Sequence, residues 1–316
     1  MNQQVRIGTR GSVLAVTQAE HVAKELTRRY PNLAPVLVKI KTSGDRLVGV
    51  PLSRVGGKGL FIKEIEEALQ DDQVDLAVHS MKDVPAEVAS GLTIAAILER
   101  KDPSDALISR RGKTLHALPT GARIGTSSLR RQAQLLNYRP DLTVVPLRGN
   151  LDTRLRKLRT EDLDAVVVAT AGVYRLGRQD EITEILPLQV SLPAVGQGAL
   201  GLEIREQDRE VYDLTTPLNH RPSALTVAAE RAFLARLGGG CQVPIAAYGQ
   251  LDADQLRLTA LVSMPDGSSV VRGERCGPWA NGKEIGMGLA EELLGRGADR
   301  ILKELSRMEI IPPSSP

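Results

Sequence analysis

Aromatic side chains are scarce in this chain: two Phe, five Tyr and one Trp in 316 residues. Proteins that bind single-stranded nucleic acid stack bases on such rings, so a chain this poor in them has little to offer that function. Cysteine is scarcer still. Cys241 and Cys276 form no CxxC pair, and with four scattered histidines they give neither a disulfide framework nor a metal site. No apolar run reaches the roughly 20 residues of a membrane span, and the most apolar stretch, residues 165–173, falls far short. The opening MNQQVRIGTR lacks the apolar segment of a secretory signal. The expected compartment is a reducing cytoplasm.

What is present describes a globular protein, 42% hydrophobic and 25% charged, long enough for two or three domains. The net charge of +3 hides an uneven distribution. Arginines number 30 against 11 lysines, and between Arg123 and Arg178 ten arginines and one lysine face five acids. That region alone is strongly basic, which implies an anionic partner. Arginine's planar fork suits carboxylate or phosphate. Compositional bias toward arginine would explain the total but not its position.

Residues 5–8 read as a strand, after which Ser12 caps a helix bearing Val13, Val16, Ala19, Ala23 and Leu26. Strands follow at 36–41, 74–78 and 92–98, with a glycine-rich loop at 55–59 opening a helix that carries Leu60, Ile65 and Leu69. The polar stretch 99–103 is a link, and then the pattern restarts. Arg6-Ile7-Gly8-Thr9 recurs as Arg123-Ile124-Gly125-Thr126, again before serine and a helix, and strands return at 142–147 and 164–169. Two related βαβ lobes with mainly parallel strands are expected. Ligands of such sheets bind beyond the carboxyl ends of the strands. That rule gathers Arg10, Ser12, Lys82, Asp83, Thr126, Ser128, Arg130, Arg131, Arg148 and Arg154 at two facing lips. Taken singly, each arginine is also a plausible solvated surface charge.

Gly196, Gly198 and Gly201 have the spacing of a dinucleotide loop, but no strand precedes them and 200–204 reads as extended, so a hinge is the better reading. After Pro217 a helix capped by Ser223 spans 224–237. Strands at 245–251, 256–264 and 269–275 and one amphipathic helix with Ile285, Leu289, Leu293, Ile301 and Leu305 complete a third, smaller α/β unit. Its chemical feature is Gly238-Gly239-Gly240-Cys241-Gln242-Val243-Pro244. Three glycines cannot hold a helix, so Cys241 sits on a thin loop with clearance for something large. A lone cysteine is also commonly a small buried hydrophobe, and the residues leave both readings open.

The segments VGGKGLF (55–61), AVHSMKDVP (77–85), GTSSLRRQAQL (125–135), LRGNLDTRL (147–155), SLPAVGQGAL (191–200) and GGGCQVPIAAY (238–248) resemble the porphobilinogen deaminase family. The likeness spans essentially the whole chain. It implies an α/β fold of three domains, two similar periplasmic-binding-protein-like lobes around a cleft plus a C-terminal domain with the cysteine loop. Domain 1 would comprise 1–98 and 199–217, domain 2 99–198, and domain 3 218–316. The implied activity is a transferase of heme biosynthesis. It condenses four porphobilinogen molecules head to tail, with loss of ammonia, onto a dipyrromethane cofactor joined by a thioether to Cys241. Hydroxymethylbilane is then released by hydrolysis. The family further implies a cytoplasmic monomer without metal, nucleic-acid or membrane partner, whose product passes to uroporphyrinogen-III synthase.

By the same resemblance Arg130, Arg131 and Arg154 would hold cofactor carboxylates, with Ser80, Lys82, Thr126 and Ser128 assisting. Arg10, Ser12, Arg148 and Arg175 would serve the incoming substrate, and Phe61 and Gln197 would line the cleft. The chemistry agrees, because porphobilinogen carries an acetate and a propionate and bidentate arginines suit both. Loss of the amine leaves an electron-poor carbon beside a pyrrole nitrogen, which a fixed carboxylate stabilises. Asp83 is the expected catalytic group, its alternative being an Asx-turn before Val84-Pro85. Two departures are Arg54, where many relatives have lysine, and Gly11, where some have a larger residue. A two-lobed binding protein for a small carboxylate or phosphate anion is the rival reading. It would need neither a third domain nor a glycine-framed cysteine.

Overall fold

Val5 and Ile7 are buried in β1 (Gln3–Arg10), the first strand of a computed structural model that describes residues 3–46, 62–239 and 243–310. The Ser12 hydroxyl accepts from Ala15 N at 3.3 Å and starts α1 (Val13–Arg29), whose Gln18, Ala19, Val22 and Leu26 form one buried stripe. β2 (Leu33–Ile40) lies parallel to β1, and α2 (Ser43–Arg46), α3 (Lys63–Gln70), β3 (Leu76–Ser80) and β4 (Leu92–Ile97) follow. β3 falls two residues later than expected. Val74 still belongs to the turn that closes α3, while Ser80 pairs with Leu200.

The chain then leaves this sheet and builds another. It contains β5 (Asp105–Ser109), β6 (Arg123–Gly125), α4 (Leu129–Tyr138), β7 (Thr143–Val145), α5 (Leu151–Thr160), β8 (Ala165–Ala169), α6 (Thr170–Arg175) and β9 (Glu184–Ile185). It returns as β10 (Leu200–Arg205) and α7 (Arg209–Thr215). The sheet orders are β2-β1-β3-β10-β4 and β7-β6-β8-β5-β9. In each, the first strand laid down after a crossing takes fourth place, antiparallel to both neighbours, while the other four share one direction. The repeated Arg-Ile-Gly falls on corresponding strands, β1 and β6.

The crossings touch. Leu98 N donates to Leu200 O at 3.0 Å and Lys101 N to Gly198 O at 3.2 Å. Gly198 has φ +91°, and a Cβ there would run into Lys101 O, so no other residue fits this pairing comfortably.

The third unit contains α8 (Arg221–Arg236), an antiparallel sheet of β11 (Ile245–Asp252), β12 (Gln255–Ser263) and β13 (Val270–Pro278), and then α9 (Gly282–Leu293) and α10 (Asp299–Ile310). Two expectations are corrected here. Ser223 is not the cap of α8: the cap position is His220, and Pro222 occupies the first turn, where a missing N–H costs nothing. The final amphipathic helix is two helices, because the chain takes φ +108° at Gly297 between them.

α8 also ties the units together. Arg100 on the outgoing crossing donates to Glu230 on α8 at 2.5 Å and to Gln197 O on the return crossing at 2.8 Å, and it lies 5.0 Å over the Tyr248 ring. Glu230 further accepts from Gly196 N at 2.7 Å and Gly249 N at 2.8 Å, and it is wholly buried. One carboxylate therefore joins both crossings to the third unit. Removing its charge strands a buried guanidinium, a change that typically costs about 3–5 kcal/mol. Glu230→Gln is expected to lower Tm in scanning calorimetry accordingly; an unchanged Tm would show the ionic link to be dispensable.

Candidate functional site

Arg10, Ser80, Lys82, Asp83, Thr126, Ser128 and Arg148 fall at or just beyond the carboxyl ends of strands. β1 ends at Arg10, and β3 runs into a tight turn, Met81–Asp83, closed by Val84 N donating to Met81 O at 3.2 Å. Among the described residues no backbone N–H reaches the Asp83 carboxylate, as an Asx-turn would require. Asp83 lines a small cavity of about 30 Å³ at the tip of β3 with Arg10, Gln18, His79 and Ser80. A roomier groove of about 410 Å³, between residues 188–192 and β12–β13, holds none of the expected site residues.

In the second lobe Thr126 and Ser128 follow β6. Ser128 caps α4 by accepting from Arg131 N at 3.4 Å, and Thr126 Oγ1 accepts from Ser128 N at 3.2 Å. Arg148 follows β7, and Asn150 caps α5, which carries Arg154. Arg154 Nε donates to Gly149 O at 2.8 Å, and Arg175 at the end of α6 donates to Gly198 O at 2.7 Å. Ser12 serves its helix cap, and Ser80 exchanges hydrogen bonds with Gln18. Gln197 is buried in the hinge, donating to Pro103 O at 2.6 Å and to Asp105 at 2.9 Å. Phe61 and Cys241 lie outside the described residues.

The lobes meet over this ground. A Cβ on Gly172 of α6 would contact Leu14 of α1 at 3.5 Å. Lys82, in the first lobe, lies in the field of Arg131, Arg130 and Asp105 of the second. Burial pushes the Lys82 ammonium down to about 8; Asp83 opposes the shift and the two arginines add to it. Arg154 is pushed down to about 10 by burial and by Arg131, with Asp83 acting the other way. Arg175 is pushed down to about 10 by burial.

Arg148 Nη2 is buried without a hydrogen-bond partner among the described residues. An unpaired buried donor is costly, more so when charged, and an incoming carboxylate would satisfy it. A cluster of Lys82, Arg131, Arg148 and Arg154 against two nearby acids, Asp83 and Asp105, keeps an excess of positive charge and fits a ligand bearing several carboxylates.

Three groups here are absent from the sequence expectations. Asp105, wholly buried, accepts from Arg130 and Arg131 together, so both of these arginines already hold a carboxylate of the protein. Gln18 supports Ser80 from α1. His79 Nε2 lies 2.8 Å from Glu203, whose other carboxylate oxygen has no partner among the described residues. Each belongs to a polar position inside an otherwise apolar strand or helix stripe, a signal that marks burial but not the partner.

The arrangement is two lobes that meet over a cluster of cations, with a third unit attached at the hinge. A family model described as porphobilinogen deaminase, dipyromethane cofactor binding domain, matches residues 5–213, and the C-terminal domain model of the same family matches 224–295. The porphobilinogen deaminase of Geobacter metallireducens is 54% identical over 308 residues, covering 98% of this chain and 96% of that protein. That of Syntrophotalea carbinolica is 54% identical over 301 residues, covering 95% and 96%. The chain belongs to the porphobilinogen deaminase family. Among solved structures, the periplasmic VFT2 domain of Bordetella pertussis BvgS overlays 69% of this chain and 87% of its own with a TM-score of 0.42 at 13% identity, too loose a likeness to carry an argument. No helix among the described residues is long and apolar enough to cross a membrane.

Proposed function

We propose that the protein is a porphobilinogen deaminase, condensing four porphobilinogen molecules with loss of ammonia and releasing hydroxymethylbilane. The observation that carries this reading is the buried Nη2 of the half-buried Arg148, which has no hydrogen-bond partner among the described residues, within a cluster of cations contributed by both lobes. The units are assigned as 1–98 with 199–217, 99–198 and 218–316. When bound, a dipyrromethane supplies the primer to which pyrroles are added, and Cys241 is its attachment point.

Arg131 and Arg154, with Arg130, Lys82, Ser80, Thr126 and Ser128 beside them, would hold its carboxylates. Arg10, Ser12, Arg148 and Arg175 would orient the acetate and propionate of the incoming pyrrole, with Phe61 and Gln197 at the cleft wall. Asp83 would stabilise positive charge at the reacting carbon and carry a proton. Burial makes each of these charges act more strongly than it would in water. The same reading makes the protein a cytoplasmic monomer that passes its product to uroporphyrinogen-III synthase.

The test is turnover. Purified protein given porphobilinogen should release ammonia and form hydroxymethylbilane. Arg148→Leu should keep the cofactor mass but lose about 10- to 100-fold in kcat/KM, the worth of a charged hydrogen bond. Wild-type protein that only binds porphobilinogen, without releasing ammonia, would favour the anion-binding alternative.

A further inference from the structure

Asp105 opens β5 and is wholly buried, yet neither turnover nor substrate binding as described above uses it. Its Oδ1 accepts from Arg131 Nη2 at 2.7 Å, Arg131 Nε at 3.0 Å and Gln197 Nε2 at 2.9 Å. Its Oδ2 accepts from Ser191 Oγ at 2.7 Å and lies 2.9 Å from Arg130 Nη1. Four side chains thus converge on one carboxylate, two from the first turn of α4 and two from the return crossing. Arg130 also donates to Leu192 O at 2.5 Å and Arg131 to Val167 O at 3.2 Å, which fixes both guanidinium planes.

The charge balance is as informative as the geometry. Asp105 carries one negative charge against two guanidiniums, so the group retains one positive charge for a ligand. Without Asp105, Arg130, Arg131, Lys82, Arg148 and Arg154 would have Asp83 as the acid among them, and like charges at close range repel. A buried ion pair is not in itself a stabilising device, because desolvation offsets the attraction. What it does supply is orientation, and a bidentate arginine is sensitive to orientation.

The geometry points to Asp105 as a positioning residue for the cofactor: it decides which N–H groups of Arg131 remain for the carboxylates of the dipyrromethane, and it registers them against the hinge through Ser191 and Gln197. This inference rests on the function proposed above.

It is tested on full-length protein by intact mass, which reads the fraction of chains carrying the covalent cofactor, together with Tm. Leu115→Ala, a truncation in the core of the same lobe, supplies the loading expected from instability alone. Wild type carries the cofactor mass; a bare wild-type mass would sink the proposed function rather than the role of Asp105. Asp105→Asn should load at least about tenfold less than Leu115→Ala at a comparable Tm, since a charge-assisted clamp has been lost. Asp105→Glu keeps the charge but adds a methylene at a buried site, so a purely structural role predicts loading that follows its Tm along the Leu115→Ala line, whereas positioning predicts a several-fold deficit beyond that line. Should Asp105→Asn fail to fold, Asp105→Glu decides alone. Wild-type loading in Asp105→Glu, or loading in either variant that merely follows Tm, overturns the inference.

Discussion

Cys241→Ser should weigh no more than its own chain and turn over no porphobilinogen, whereas wild type should exceed its chain mass by two porphobilinogens less two ammonias. The reasoning begins with α8. Its end is a Schellman motif: Gly239 N donates to Leu234 O at 3.3 Å and Gly238 N to Ala235 O at 3.0 Å, with Gly238 at φ +64°. The helix therefore ends at Arg236, and the chain turns off its axis at Gly238. Glu230, two turns earlier on α8, is locked to both crossings, so the segment that delivers the cysteine is fixed relative to the cleft. A thiolate is a far better nucleophile at neutral pH than a serine hydroxyl, which has no low pKa and needs a dedicated base. Cys276 is the control. It is exposed on β13, so Cys276→Ser should leave both mass and activity unchanged. An active Cys241→Ser protein, or a wild type of bare mass that is active, would exclude attachment through this sulfur.

Much of the architecture was readable because both lobes repeat the same strand, serine cap and helix. What the sequence hid were two strands of the second sheet, β5 and β9. β5 is buried along nearly its whole length, so Ala106-Leu107-Ile108 lacks the alternation that marks a half-buried strand. β9 has two residues, too short for any periodicity. The α9–α10 break was hidden for the opposite reason: the apolar spacing continues across Gly297, so the core face persists while the backbone kinks. Ser223 illustrates a third kind of concealment. A serine ahead of an apolar run is a good cap in isolation, but here its hydroxyl accepts from Arg100 N at 2.9 Å, more than a hundred residues away in the chain.

At the site, the cationic positions were legible and their counter-charges were not. Strand ends reveal Arg130 and Arg131 because ligands gather there, yet nothing local announces that Asp105 will be folded against both. Burial pushes the Asp105 carboxyl up, but the two guanidiniums more than reverse this and hold it well below the usual carboxylate range. Such a pairing depends on the crossing that threads β5 between β8 and β9, which is a property of topology rather than of neighbours in sequence.

Asp83→Asn should fold, retain cofactor and lose on the order of 10²-fold or more in kcat. The turn that carries Asp83 is closed by backbone groups, Val84 N to Met81 O, so the side chain is free to change without undoing it. Asn keeps the shape and an acceptor oxygen but can neither balance a cation nor return a proton at neutral pH. Asp83→Glu keeps the charge on a longer arm and should therefore be faster than Asn. A side chain with no part in the chemistry would instead leave both variants near the wild-type rate, because the turn is held by backbone groups alone. The neighbouring lysine gives an independent readout. Asp83 favours the Lys82 ammonium, which burial has already pushed down to about 8. Removing that negative charge lowers the Lys82 pKa further, so the ammonium is lost at a lower pH than in wild type. The alkaline limb of the kcat profile should then move toward neutrality in Asp83→Asn and stay in place in Asp83→Glu. Measured on cofactor-loaded protein, an Asn variant as fast as Glu or faster would remove the Asp83 charge from the chemistry.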